Sequence, residues 1–174
     1  NSLIKHLISK GKRPFVIDWG TPGDLSESLD LSSIIEDCVI GFSEYLNSIL
    51  KSKINILGYC MGANFALIAA SQRQELYKDL ILVSPPYNFN EMPFTGMVKF
   101  YYPLYKEYLK TTNVKSDIIQ SLFFMLDPKA VISRIKSFTN VKDNNQLKRM
   151  IALEDWLSDC IDVDSSAAQD ILEQ

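Results

Sequence analysis

Gly58-Tyr59-Cys60-Met61-Gly62 is the segment whose residue types and spacing could do covalent chemistry. A nucleophile with glycines two positions before and two after marks a sharp strand-to-helix turn, here with Cys where Ser is usual. Such a turn strains the backbone at the nucleophile, and Gly58 and Gly62 would let strand and helix approach closely. The following helix would aim its positive N-terminal end at Cys60 and favour a thiolate. The amide N–H of Met61 would face an oxyanion growing on an attacked carbonyl. A thiolate that takes an acyl group from a thioester forms another thioester of similar energy, so the acyl group stays activated for a second nucleophile. Serine would form an ester, a product suited to hydrolysis. Cys60 therefore tilts the expectation toward acyl transfer. The competing reading is a buried structural Cys between two packing glycines.

Other reactive side chains are few. The sequence holds one His and three Cys, so a mechanism needing two imidazoles is excluded. His6 lies on an amphipathic helical pattern and reads as an ordinary surface residue. Asp127, Asp162 and Asp164 follow Cys60, but none ends an apolar strand, and each is expected to cap or flank a helix. Neither a general-base His nor a catalytic Asp is identifiable in the chain. Cys38 is expected as a small core hydrophobe and Cys160 as a packing residue. The wide, odd spacing of the cysteines points to neither a disulfide framework nor a metal site, and it fits a reducing cytoplasm.

The elements that must position Cys60 are legible as alternating patterns. Ser2 to Ser9 repeats apolar residues at helical spacing, with Gly11 placed to close the helix. Phe15-Val16-Ile17-Asp18-Trp19 reads as a short strand stopped by Gly20 and Pro22. Asp30 is a good N-cap, after which Leu31, Ile34, Ile35, Cys38, Val39, Phe42, Leu46, Ile49 and Leu50 mark one helical face. Residues 53–57 read as a second strand ending at Gly58. Ala63, Ala66, Leu67, Ala69 and Ala70 give the next helix a small-residue face. Residues 79–84 read as a third strand, stopped by Pro85-Pro86. Uninterrupted apolar strands alternating with helices predict a parallel sheet covered on both faces.

Beyond Pro86 the pattern becomes helical. Tyr101, Tyr102, Tyr105 and Tyr108 cluster around Pro103 and are expected as packing in a core or lid. Helices are expected over 117–126, after the Asp127-Pro128 start, over 143–157 and over 165–173. This divides the chain into residues 1–86, a partial α/β core with the turn at Cys60, and residues 87–174, a helical cap or lid.

The composition bounds the rest. With 174 residues, 47% of them hydrophobic, the chain can build one domain with a real core. A net charge of -3 and the lack of basic runs interleaved with aromatics argue against a nucleic-acid surface. The long uncharged stretch 54–72 changes period midway and is expected as strand, turn and helix rather than a membrane span. The chain begins at Asn1 rather than Met and stops at Gln174 inside a helical pattern, so it is expected to be a piece of a longer protein.

In these residues the sequence resembles the catalytic subunit of the poly(3-hydroxyalkanoate) synthases, an α/β-hydrolase-fold family. Gly58-Tyr59-Cys60-Met61-Gly62 matches the family's lipase-like box. Asn1-Ser2-Leu3, Gly11 and Phe15 through Gly20 are similar to its segment before the elbow helix, and Asp18-Trp19-Gly20 resembles the short-subunit classes that work with an accessory subunit. Leu153 through Asp159 is more loosely similar to a stretch of the helical cap. The resemblance implies a partial α/β-hydrolase fold followed by a cap, with Cys60 as the nucleophile. It also implies an (R)-3-hydroxyacyl-CoA donor, no cofactor beyond that CoA thioester, and a polyester granule with an accessory subunit or a second copy as partners.

In that family a His deprotonates the thiol and an Asp activates the 3-hydroxyl group. The match places both beyond Gln174. It places before Asn1 a strand that should lie between those of 15–19 and 54–57, with a loop carrying the second oxyanion N–H. Taken alone, these 174 residues are expected to do little chemistry. Two alternatives stay open: a thioesterase or other hydrolase of the same fold, and a non-catalytic remnant or split-protein half.

Overall fold

The computed structural model describes residues 2–20, 29–86, 88 and 95–173; Asn1, Pro22 and Gln174, named above, lie outside them. The first helix forms as α1 (Leu3–Ser9) and ends at Gly11, which adopts φ 72°. The Gly11 N–H donates to the Ile8 carbonyl (2.9 Å) and the Lys12 N–H to that of Leu7 (3.0 Å). These paired bonds satisfy carbonyls that a helix end otherwise leaves open.

Residues 15–19 do not form the expected strand. A strand exists through its ladder, and the one sheet among the described residues pairs two other segments. The apolar run is held by side chains instead. Ile17 packs on the core and Trp19 meets Phe65 edge-on, ring centres 6.2 Å apart, while Val16 stays 67% exposed.

Asp30 caps the next helix as expected, its carboxylate accepting from the Ser33 N–H at 2.7 Å. That helix runs through α2 (Leu31–Ser33), a π-helical segment (Ile34–Ile40) and α3 (Gly41–Leu50). The wider i→i+5 turns shift the helical phase. Ile35, Val39, Ile40, Ser43 and Leu46 become the buried face, whereas Ile49 is exposed and Cys38 only half-buried. Burial and the neighbouring Asp37 carboxylate push the Cys38 thiol pKa up.

Next come β1 (Ile54–Tyr59), α4 (Met61–Gln72), a 3-10 turn (Gln74–Leu76) and β2 (Tyr77–Val83). The two strands are parallel and in register from Asn55 against Asp79 to Tyr59 against Val83. Gly58 lies inside β1 rather than ending it, and Ser84 lies beyond β2 rather than within it. Ala63, Ala66 and Ala69 are buried as α4 packs on both strands, because alanines let a helix axis come close to a sheet. Ile35, Val39, Ile40, Ala69, Leu76 and Tyr77 form the core between the π-helical segment, α4 and the start of β2. The stretch 54–72 is thus strand, turn and helix, and no helix among the described residues is long and apolar enough to cross a membrane.

The remainder is helical: α5 (Thr95–Leu109), α6 (Ser116–Leu126), α7 (Pro128–Thr139), α8 (Asn144–Ser158) and α9 (Ser165–Glu173). Asp127 caps α7 by accepting from the Ala130 N–H (2.9 Å), and Asp143 caps α8 by accepting from that of Gln146 (2.8 Å). Helix α9 packs on α5 and on α2, burying Leu109, Ala167 and Ala168. It is also tied to α2 by the Leu31 N–H, which donates to the Asp170 carboxylate at 3.0 Å. Two expectations fail here. Tyr101, Tyr105 and Tyr108 are 44–54% exposed rather than packed inside, on a helix that packs against α9. Cys160 is exposed too, in the turn after α8.

The chain is therefore mostly helical around a small parallel sheet. Of the three predicted strands two form, and the sheet is not covered on both faces as expected, since Leu57, Tyr59, Ile81 and Val83 stay 40–55% exposed.

Candidate active site

Cys60 links the last residue of β1 to the first of α4. Its backbone sits at φ 54°, ψ −127°. Lys51 also has positive φ, but its φ 53°, ψ 33° is the ordinary left-handed end of a helix. The Cys60 conformation lies outside that region and costs a non-glycine residue about 1–3 kcal/mol. Surrounding bonds hold it there. The Cys60 N–H donates to the Val83 carbonyl at 2.9 Å, extending the ladder one step past β1, and the Cys60 carbonyl accepts from the Ala63 N–H at 2.9 Å. The side chain is half-buried.

Gly58 explains how strand and helix come so close. A Cβ on it would sit 2.3 Å from the Gly62 carbonyl oxygen and 2.5 Å from the Ala63 Cα, distances no side chain tolerates. Gly62 departs from expectation, since no heavy atom lies within 4 Å of where its Cβ would be. The close approach belongs to Gly58, with Gly62 contributing backbone. Met61 opens α4, so its N–H is among the first-turn amides that have no carbonyl one turn earlier within the helix. Those amides and the dipole of a twelve-residue helix give the turn a positive electrostatic end.

Three further residues assemble around the turn that the sequence reading did not single out. Ser84, just past β2, is a further non-glycine residue with positive φ, at 51°. Asn64 Nδ2 in the first turn of α4 donates to the Pro86 carbonyl at 3.1 Å, fastening the exit from β2 to the helix. Trp156 of α8 approaches the Tyr59 ring, centres 6.3 Å apart, which brings the helical region beside the turn. Ser84-Pro85-Pro86 was legible as a stop, but its positive φ was not, because a residue before proline ordinarily favours extended backbone. Nothing local announces Asn64 or Trp156.

The candidate acids and the imidazole are elsewhere. His6 is exposed on α1 and Asp127 caps α7. Asp162 accepts from the Lys115 ammonium (2.7 Å) and from the Ser116 N–H (2.9 Å), and Asp164 accepts from the Ser166 N–H (2.8 Å). The structure thus brings Cys60, Met61, Gly58 and Gly62 together and assigns the aspartates to helix starts. Among the described residues no cluster of three His, Cys, Asp or Glu is arranged to hold a metal ion.

Comparison with known proteins gives this turn a context. The chain is 28% identical over 184 aligned residues to the poly(3-hydroxyalkanoate) polymerase subunit PhaC of Haloferax mediterranei, covering 99% of this chain and 36% of that protein. The PhaC subunit of Haloarcula marismortui is 26% identical, with 99% and 38% covered. That of Thiocystis violacea is 25% identical over 166 residues, with 92% and 46% covered. The chain thus spans less than half the length of these relatives. No family model matches it, and no solved structure does. Over nearly its whole length, this chain is similar to the PhaC subunit of the poly(3-hydroxyalkanoate) polymerases.

Proposed function

We propose that the chain carries the nucleophile of a poly(3-hydroxyalkanoate) synthase, an acyltransferase that polymerises (R)-3-hydroxyacyl groups from their CoA thioesters. One observation carries the reading. In a chain similar to PhaC subunits, a Cys is held at positive φ where β1 hands over to α4, the backbone expected of a nucleophile elbow. The wider setting we propose is part of an α/β-hydrolase fold, residues 1–86 being core and 87–174 a cap.

The Cys60 thiolate attacks the thioester carbonyl and a carbon–sulfur bond forms to Sγ. The negative charge on the carbonyl oxygen is received by the Met61 N–H and the start of α4. The bond to CoA sulfur then breaks, and CoA leaves as a thiolate that takes up a proton. The acyl group stays on Cys60 as a thioester until the oxygen of a 3-hydroxyl group attacks its carbonyl; the bond to Sγ then breaks, the hydroxyl proton is given up, Cys60 is freed as a thiolate and the ester chain is one unit longer. The general base and the carboxylate of this chemistry are assigned to no residue of the chain. No cofactor beyond the CoA thioester is required. The cytoplasm, a polyester granule, and an accessory subunit or second copy are the proposed surroundings.

The test is acyl transfer from 3-hydroxybutyryl-CoA by the extended reading frame that contains this chain and by its Cys60→Ala variant, followed by CoA release and by the intact mass of the protein. An acyl adduct on Cys60 is expected, with Cys60→Ala reducing CoA release at least about a thousandfold. Equal release by the two proteins rules the assignment out. Free hydroxy acid without oligomer identifies a hydrolase instead.

A further inference from the structure

A β-branched side chain on the solvent face of a helix loses rotamer freedom and gains no burial. Helix α7 carries two of them, Ile132 at 53% exposure and Ile135 at 62%. Pro128, Ile132, Ile135 and Thr139 follow the spacing of a single helical stripe, and all four are exposed. The stripe is an outer ridge with the isoleucines at its middle. The rotation of α7 is set from its other side. Arg134 donates to the Glu154 carboxylate of α8 at 3.0 Å, and its guanidinium lies 5.7 Å from the centre of the Phe124 ring of α6. Val131 and Phe138 are half-buried.

Charge is distributed as unevenly as polarity. From Pro128 to Lys142 the chain has four cations, Lys129, Arg134, Lys136 and Lys142, and no Asp or Glu, although the whole chain is net negative. Arg134 is paired to α8. Lys129 and Lys136 are exposed and have no carboxylate partner among the described residues. They stand seven residues apart, each one step round the helix from a ridge residue, so both line one flank of the ridge.

We infer that the outer face of α7 docks on a lipid layer bearing anionic headgroups, Ile132 and Ile135 entering the acyl region and Lys129 and Lys136 meeting the phosphates. An apolar ridge beside lysines, whose stems lie along it and carry ammonium groups to headgroup level, is the pattern of helices that rest in a lipid interface. Twelve residues make a face about 18 Å long and about 10 Å across, far short of the roughly 800 Å² that each partner gives to a stable protein interface. A second copy is therefore a poor occupant, and anionic lipid matches the local charge. The inference stands apart from the chemistry at Cys60.

The experiment is co-sedimentation of the extended reading frame that contains this chain with vesicles of phosphatidylcholine, alone or mixed in equal parts with phosphatidylglycerol. The parent should bind the mixed vesicles at least about tenfold more tightly, and added salt should weaken that binding. Lys129→Gln with Lys136→Gln should weaken it by about fivefold for each lysine removed. Ile132→Gln with Ile135→Gln should weaken it by about tenfold or more, and glutamine is a good helix former, so α7 is expected to persist. Lys53→Gln with Lys78→Gln removes the same charge at exposed positions flanking and within the strands and should leave binding near the parent's. Equal loss in that pair overturns the inference, because net charge and not this face then matters. Unchanged binding in the isoleucine pair overturns it as well. A parent that binds neither vesicle overturns it too, and a concentration-dependent dimer that the isoleucine pair abolishes would assign the ridge to a second copy instead.

Discussion

Between Ile54 and Val83 the chain buries the alanines of α4 against a parallel ladder, although Leu57, Tyr59 and Ile81 stay 41–55% exposed, whereas between Thr95 and Glu173 burial among the described residues is confined to Leu109, Ala167 and Ala168. Ala63 and Ala69 have no exposed surface at all, while Phe100 is 73% exposed and Ile135 62%. The β1–α4–β2 unit is held by backbone hydrogen bonds and close packing, which tolerate little change in shape. The helices beyond Thr95 are joined by surface ion pairs such as Lys106–Glu173, Lys115–Asp162 and Arg134–Glu154, each worth little on its own. Cys60 stands on the rigid side of that divide, and strain of its kind persists only where surrounding structure enforces it. Trp156, reaching Tyr59 from α8, is where the looser region meets it.

The largest effect that would break this contrast is expected at the two glycines flanking Cys60. Gly58→Ala puts a methyl group against backbone atoms of α4 that cannot rotate away, and overpacking of this kind costs about 3 kcal/mol or more. Gly62→Ala meets nothing within 4 Å and gains helix propensity, about 0.5–1 kcal/mol. Urea unfolding of both variants measures the difference, and opposite signs are expected. Equal destabilisation by the two would mean that strand and helix are not in close contact at Gly58.

The same contrast decides what could be read in advance. The turn at Cys60 and the helix starts at Asp30, Asp127 and Asp143 were legible because each depends on a few adjacent residues. The run 15–19 was not, because a strand needs a partner and the pattern within the run says nothing of its neighbours. The buried face of the helix over 31–50 was displaced because the π-helical segment brings Ser43 inward, and a serine raises no hydrophobic signal. Ser43 is 4% exposed and was absent from the expected face. At the candidate site, the strand-to-helix bend at Cys60 was legible from the spacing of its glycines, whereas the positive φ of Ser84 was not.

Ser43 and Tyr77 supply the next test of the rigid side. The Tyr77 hydroxyl donates to Ser43 Oγ at 2.9 Å, and the Ser43 hydroxyl donates to the Val39 carbonyl at 2.7 Å. Burial pushes the Tyr77 pKa up, with the hydrogen bond to Ser43 opposing it. Tyr77→Phe removes one bond and leaves Ser43 paired to Val39, an expected loss of about 1 kcal/mol. Ser43→Ala leaves the Tyr77 hydroxyl buried without its partner and should cost more, about 1–3 kcal/mol. Denaturation midpoints in urea give the order, and a larger loss for Tyr77→Phe contradicts the pairing described.

The smallest effect belongs to the looser side and depends on pH. The Lys115 ammonium, then the Ser116 N–H, holds the Asp162 carboxyl below its usual pKa. Lys106, then the Tyr102 hydroxyl, does the same for Glu173. A carboxyl lowered in the folded state adds stability above its unfolded pKa, near 4, and loses it as pH falls through the lower folded value. Nothing should therefore change between pH 8 and pH 6. Below about pH 4, the start of α6 and the end of α9 should loosen. Both ion pairs lie at the surface, with the Lys115, Lys106 and Glu173 side chains about half exposed or more, so added salt should weaken the effect further. Amide exchange corrected for intrinsic rates would follow it, protection at Ser116 and along α9 falling while the β1 amides, bonded only to backbone, hold. Asp162→Asn should remove the pH dependence at Ser116 alone. If β1 loosened in step with α9, the two regions would be one cooperative unit and the contrast drawn between them would be lost.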